Sequence, residues 1–505
     1  MPRPRALILS TLALPALALS ALALPSLAQA PDTTKAPPAS PPAPPATPAA
    51  PPADWRAAEA PLLTDHVQIT ARERFLKAGE AYFDHASPPR WVVFQAIPVP
   101  AQGQNPDAFY SMYVARLKYE TDAPKPGDRI TGIEEPVRIS PEGSANSCGW
   151  FHPQQPWRVL FGCTLVAPKA REGSGYRGSR GYVWQFPDEM DLCERSITAI
   201  AKALPEADPF AQQVRRMDAI MAEYTPKLAE LRGATRQPGA VGQAAAKGYV
   251  SLSDELFAKL DAECPDVRRV QNWASPQPVF TRRRYDAECS YSPDGRFILY
   301  AHVRDEPTKA PSGEPKDDAD LWLYDTRTQA QVELVARDGY DGGPFFSPDG
   351  KRICYRSDRK LNDELQVYVA DLAFDAEGVP TGIARETPIT AGSDVNWAPY
   401  WHPSGEYLVF ASSNVGHQNY EVFAAEVPPM GATREASQLR TRRVTNAPGA
   451  DVLPAFSDDG RYFIWTCQRG EPAPGETKPS SQVWIARTTP GMGGAKAMFG
   501  EAAKP

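Results

Sequence analysis

Short runs of aromatic and β-branched residues recur through the second half of the chain, separated by polar turns. Phe297-Ile-Leu-Tyr300, Ile353-Cys-Tyr355, Tyr407-Leu-Val-Phe410 and Tyr462-Phe-Ile-Trp465 form one set. Leu321-Trp-Leu-Tyr324, Val367-Tyr-Val369, Glu421-Val-Phe423 and Val483-Trp-Ile485 form a second. Runs this short, with this composition, predict half-buried strands rather than helices. A common element precedes each run of the first set: Asp286-Ala-Glu-Cys-Ser-Tyr-Ser-Pro-Asp-Gly295, Asp341-Gly-Gly-Pro-Phe-Phe-Ser-Pro-Asp-Gly350, Asn396-Trp-Ala-Pro-Tyr-Trp-His-Pro-Ser-Gly405 and Asp451-Val-Leu-Pro-Ala-Phe-Ser-Asp-Asp-Gly460. Each holds an inner strand and a tight turn, in which Pro presets the entry torsion and Gly accepts a positive one at the exit. The turn positions Pro293, Pro348, Pro403 and Asp458 are spaced by 55 residues every time. A fixed period of that length with strand content predicts an all-β fold, a β-propeller of four-stranded blades.

Two weaker copies lie upstream. Asn146-Ser-Cys-Gly-Trp-Phe-His-Pro153 matches the element, with Trp157 to Phe161 as the next strand and Tyr182 to Phe186 as the third. Ala81-Tyr-Phe83, Trp91-Val-Val-Phe94 and Met112-Tyr-Val114 make another blade, bringing the expected total to six. Val279-Phe-Thr281, Pro388-Ile-Thr390 and Arg443-Val-Thr445 read as outer strands. His66-Val-Gln-Ile-Thr70 has the same form but precedes the first blade, so it is expected to complete the last blade and close the ring.

Between about 188 and 267 the period changes. Phe210, Val214, Met217, Met221, Tyr224, Leu228 and Leu231 follow helical spacing, as do Leu252, Leu256 and Leu260. This predicts a helical insertion in the second blade with one apolar face against the propeller.

Residues 1–30 read as a signal peptide: Arg3 and Arg5, an Ala/Leu run, then Ala28-Gln-Ala30 as a cleavage site. Pro15 and Pro25 interrupt the run and disfavour a membrane anchor. No integral membrane span is expected after cleavage. Residues 31–54, nearly all Pro, Ala, Thr and Ser, read as a disordered tether, residues 55–490 as the propeller and residues 491–505 as a flexible tail. The expected location is the periplasm or the exterior.

Charge excludes one class of partner. Without Arg3 and Arg5 the chain carries 52 basic and 61 acidic residues, net −9. Without a basic stripe it is not expected to bind nucleic acid. Of seven cysteines, Cys193 and Cys264 bracket the insertion and are the candidate disulfide; Cys148 and Cys163, on neighbouring strands, are a weaker pair. Neither CxxC nor HExxH spacing occurs, and neither a metal, a cofactor nor a catalytic set is expected.

The repeated Asp-x-x-Pro-x-Phe-Ser-Pro-Asp-Gly element, with its aromatic-rich third strand, resembles the propeller of the TolB family over roughly residues 66–487. The α/β domain that precedes the propeller in that family has no counterpart in this sequence. The resemblance implies a periplasmic protein- or peptide-binding module within a Tol–Pal-like envelope assembly. The same repeat occurs in propellers of prolyl-oligopeptidase-like peptidases, but no Gly-x-Ser-x-Gly elbow is present. The alternative is an enzyme or small-ligand receptor, a hydrolase or lyase, using the central channel.

Asn146, Asp286, Asp341, Asn396 and Asp451 begin the inner strands and are expected to ring the channel mouth, where oxygens would attract a cationic side chain or peptide N–H groups. Arg177, Arg180, Arg356, Arg359, Lys360 and His417 lie in loops expected on the same face, and these loops are the second candidate binding set.

Overall fold

The computed structural model describes residues 54–169, 175–176, 182–183, 186–270, 272–432 and 434–501. Six antiparallel sheets are arranged as blades, with strands a to d running from the axis outward. The inner strands are Phe75–Phe83, Asn146–Phe151, Asp286–Tyr291, Asp341–Phe346, Asn396–Trp401 and Asp451–Phe456 for blades 1 to 6. In the four strong repeats the turn glycines 295, 350, 405 and 460 all have positive φ, between 67° and 72°. Strand b is buried along its whole length in blades 4, 5 and 6 (Arg352–Ser357, Tyr407–Ser412, Tyr462–Cys467), which explains why it reads as a continuous apolar run.

The ring closes as the N-terminal segment predicts. Leu63–Gln68 pairs antiparallel with Gln482–Thr488, strand c of blade 6, and so supplies its strand d. The closing threonine has a specific task. The Thr70 hydroxyl accepts from the Val483 N–H at 2.8 Å and donates to Gln482. Thr390 does the same for Val367 and Gln366, and Thr445 for Val422 and Glu421. Each threonine thus pins the start of strand c of the blade it finishes.

Four expectations are corrected. Strand c of blade 2 is Asp191–Ser196, paired with Arg158–Cys163, rather than Tyr182 to Phe186. Tyr182–Val183 instead pairs with Gly175–Tyr176 inside the b–c loop. The aromatics near 182 imitate a third strand; Leu192 and Cys193, both buried, are the real one.

The insertion therefore starts later. After α1 (Trp55–Glu59), the first helix among the described residues, the insertion holds α2 (Thr198–Lys202), α3 (Pro209–Ala234), α4 (Ala240–Glu263) and α5 (Pro265–Arg269). Its apolar face mostly covers itself: Val214, Ile220 and Tyr224 of α3 pack with Leu256 and Leu260 of α4. The propeller is touched through Ile200 of α2, which joins its buried core, and through Trp157, which stacks on Phe210 at 4.3 Å.

Lastly, the expected tail is ordered through Glu501. Helix α6 (Ala495–Phe499) follows a 3₁₀ turn at Pro490–Met492; Met492 and Met498 are buried, and the Tyr407 hydroxyl donates to the Met492 carbonyl.

Candidate functional site

Every inner strand breaks its pairing at its third or, in blade 1, sixth residue, and one residue there is left-handed: Glu80, Cys148, Glu288, Gly343, Ala398 and Leu453, with φ between 46° and 57°. Such a bulge turns one side chain per blade toward the axis. These six residues line the central cavity together with Tyr82, Phe345 and Arg356.

The cavity wall is mostly apolar, with one polar cluster. On blades 1 to 3, the Cys148 thiol donates to Glu80 at 2.7 Å, and Gln95 donates to the other Glu80 oxygen at 2.7 Å. Glu288 accepts from the Tyr340 hydroxyl at 2.6 Å, the Gly343 N–H at 2.6 Å and the Arg356 guanidinium at 3.0 Å. Burial raises the Glu80 carboxyl and pushes the Cys148 thiol well up, so both favour their protonated forms. Burial works against the Arg356 charge, but Tyr340 and Glu288 outweigh it and hold its pKa up. The Glu288–Arg356 ion pair thus lies beside the hydrogen-bonded pair Glu80 and Cys148.

Gly342 and Gly343 make this possible. A Cβ on Gly343 would collide with the Arg356 guanidinium, and one on Gly342 with the Tyr340 hydroxyl. The Asp-Gly-Gly-Pro variant of the repeat is therefore the local signature of the arginine.

Two residues further along the strand, aromatic rings from blades 1, 2, 4 and 5 fill the axis. Tyr82, Trp150, Phe345 and Tyr400 meet with centroids 5.1 to 6.2 Å apart. Below them His85 lies 5.8 Å from Trp150 and bridges Asp458 at 2.9 Å and the Phe151 carbonyl at 3.1 Å. The channel is plugged. The space left above the plug is about 20 Å³, room for roughly one water.

The mouth carries a second aromatic group. Phe186 covers Tyr285 at 5.1 Å and Tyr340 at 5.8 Å. Phe109, Phe186, Val395 and Trp397, all half-buried, pack around these two buried tyrosines. Phe109 and Phe186 come from b–c connections and Val395 from a d–a connection, while Trp397 is the second residue of the blade 5 inner strand.

The residues expected to ring the mouth are placed differently. Asn146, Asp286, Asp341, Asn396 and Asp451 start the inner strands, but all five are buried, with exposures of 0 to 6%. They brace blades instead of facing solvent. Asp286 binds Arg282 and His302 at 2.9 Å each. Asn396 donates to Gln366, and Asn146 to the Tyr110 carbonyl. Asp451 meets Arg469 at 2.7 Å, and Arg469 forks onto buried Glu59 of α1 at 2.7 and 2.9 Å. Burial drives the Asp341 carboxyl up to about 7, with Arg359 at 3.8 Å offsetting part of the effect.

Of the loop candidates, Arg356 belongs to strand b of blade 4 and reaches the channel. Arg359 is half-buried, paired with Glu386 at 2.5 Å and set over the Tyr368 ring. Lys360 and His417 are exposed. Arg177 and Arg180 lie outside the described residues. The Cys193–Cys264 bridge is not formed: all seven cysteines are free thiols, and Cys193 lies against Cys163 instead. Sequence reasoning missed Glu80, Cys148 and Glu288; for Cys148 and Glu288 the available signal was a polar residue two places after the first residue of an inner strand.

No family model matches the chain. It is 30% identical over 211 residues to the uncharacterized peptidase YuxL of Bacillus subtilis, an alignment covering 36% of this chain and 29% of that protein. The chain spans about a third of the length of the curated relatives it matches, 29% and 34% for two of them. Among solved structures it is similar to TolB from Acinetobacter baumannii, at TM-score 0.36 and 11% identity, covering 81% of this chain and 79% of that one. It is also similar to an oligogalacturonate lyase in complex with manganese, at TM-score 0.36 and 10% identity, covering 85% and 97%. What is shown is the fold, a six-bladed propeller. Among the described residues, no group of three or more His, Cys, Asp or Glu is placed to hold a metal, and no helix is long and apolar enough to cross a membrane.

Proposed function

We propose that this chain is an exported, TolB-like propeller that binds a protein segment or extended peptide at the mouth formed by its d–a and b–c connections, within a Tol–Pal-like envelope assembly. The supporting observation is the aromatic group at the mouth: Phe109, Phe186 and Trp397 stand half-buried against the cluster that holds Tyr285 and Tyr340. Aromatic side chains on a rigid scaffold combine large contact area with little entropy to lose, the usual anchors of a binding surface. Export is inferred from the basic start, apolar run and Ala28-Gln-Ala30 of the sequence.

The enzymatic alternative, a hydrolase or lyase using the channel, has less support. The channel is filled by four rings and keeps about 20 Å³ above them, too little for a sugar or a peptide.

The test is a random peptide-display library panned on the purified chain. Enriched peptides should bind the parent and lose at least tenfold in affinity for a Phe109→Ser/Trp397→Ser variant that melts normally. Enriched peptides that bind the variant equally well would overturn the placement of the site.

A further inference from the structure

Blade 2 brings two cysteines together. Cys163 ends strand b and Cys193 is the third residue of strand c. The register pairs Cys163 with Asp191 and Phe161 with Cys193, so the two cysteines are diagonal neighbours on one face of the sheet. Cys193 Sγ lies 3.7 Å from the Cys163 carbonyl oxygen.

A diagonal pair inside a regular sheet is normally too wide to bridge. Here the sheet is ending. Leu165 is left-handed, φ 58°, and its N–H donates back to Cys163 Sγ at 3.2 Å, which curls the strand end around that sulfur. Four of the other five thiols are engaged elsewhere, and the fifth, Cys467, is buried on strand b of blade 6. Cys148 donates to Glu80, Cys289 points at the Cys148 carbonyl at 3.9 Å, and Cys354 points at the Pro399 carbonyl at 3.8 Å. Cys264 sits at the end of α4, within the core of the insertion.

We infer that Cys163 and Cys193 form a disulfide when the chain folds in an oxidising compartment, closing the base of the long b–c loop of blade 2. The inference rests on the export part of the proposed function and is independent of the binding part. Both thiols give up their protons and one S–S bond forms. The two electrons pass to the disulfide of a thiol oxidant, which is released as the dithiol. Both sulfur-bearing residues are 0% exposed in the folded blade, so the bridge forms during folding rather than afterwards. Its consequence is local: the loop that it closes carries Phe186 to the mouth.

The test uses the full mature chain, denatured, reduced and refolded with glutathione disulfide, then alkylated with iodoacetamide in denaturant. Five of the seven cysteines should be alkylated, and peptide mapping should find Cys163 linked to Cys193. Seven alkylated cysteines, or a different linked pair, would overturn the inference. Reduction should lower the melting temperature by on the order of 5 °C in the parent and leave a Cys163→Ser/Cys193→Ser variant unchanged. A second arm alkylates the chain as recovered from cells. Should refolding produce the bridge while the cell-derived chain is fully reduced, the export reading falls and the pairing stands.

Discussion

The lock between the two ends of the chain yields the most quantitative expectation. Glu59 of α1 and Asp451 of blade 6 are 0 and 1% exposed, and the Arg469 guanidinium lies between them. Burial works to raise the Glu59 carboxyl, but hydrogen bonds from His66 and Arg469 overcome it and leave its pKa lowered. Asp451 goes the other way, raised by burial against the pull of Arg469. Arg469→Met keeps the volume and removes the charge, leaving two carboxylates without their counter-ion. Removing one partner of a buried pair costs about 3–5 kcal/mol, a large part of the roughly 5–15 kcal/mol that holds a domain folded. Trp55 and Trp465, two of the eleven tryptophans, flank the guanidinium at 4.2 and 5.0 Å, so this spot contributes to the intrinsic fluorescence. In urea, fluorescence and far-UV circular dichroism should shift together to a lower midpoint, because losing the closing strand opens the whole ring. The triple variant Glu59→Gln/Asp451→Asn/Arg469→Met should recover most of the loss, since no charge is left unpaired. An unchanged midpoint for Arg469→Met, or an early transition seen only by fluorescence, would refute the reasoning.

Three further outcomes are expected. Gly343→Ala places a methyl group on the Arg356 guanidinium at a residue with φ 57°, and should lower stability by about 1–3 kcal/mol in thermal melts; no loss would mean that the channel ion pair is not held as described. The buried Asp341 carboxyl titrates at about 7 against a reference of 3.8. The folded chain therefore keeps a proton that the unfolded chain has released between those values, and stability declines as pH rises through that window, by roughly 4 kcal/mol at most. The melting-temperature advantage of Asp341→Asn over the parent should grow from pH 4 to pH 8, and a difference flat with pH would contradict the assignment. Replacing residues 198–271 by a short Gly/Ser linker should leave the propeller folded, because the Ser196 N–H already meets the Asn272 carbonyl at 3.3 Å; circular dichroism of the isolated variant checks this, with a loss of about 2–5 kcal/mol from removing the buried Ile200 and uncovering Trp157.

The backbone of this fold was legible because its signals are local and repeated. The turn glycines, the buried second strands and the Thr-terminated closing segments each recur with one physical purpose, and Thr70 revealed ring closure by matching Thr390 and Thr445. Blade 2 was misread because its b–c loop contains an aromatic run with strand composition, while its true third strand is short and carries Asp191, Glu194 and Arg195. The site was less legible. Position in a repeat says which residue starts an inner strand but not which way its side chain turns. The five residues that start those strands point into braces between strands, whereas the axis is lined by the left-handed residue two places later. Arg356 was expected in a loop of the binding face but is buried on strand b, and its destination depends on Gly342 and Gly343, a contact across strands that no linear spacing encodes.

The most direct test of the binding surface is site-specific photocrosslinking in cells that produce the chain naturally. A benzophenone side chain at Phe109 or Phe186 samples the mouth; one at Met221, exposed on the insertion, serves as control. The account predicts a discrete adduct with an envelope protein from the two mouth positions and none from 221. Adducts from 221 alone, or no adduct from either mouth position while the chain is folded and exported, would contradict it.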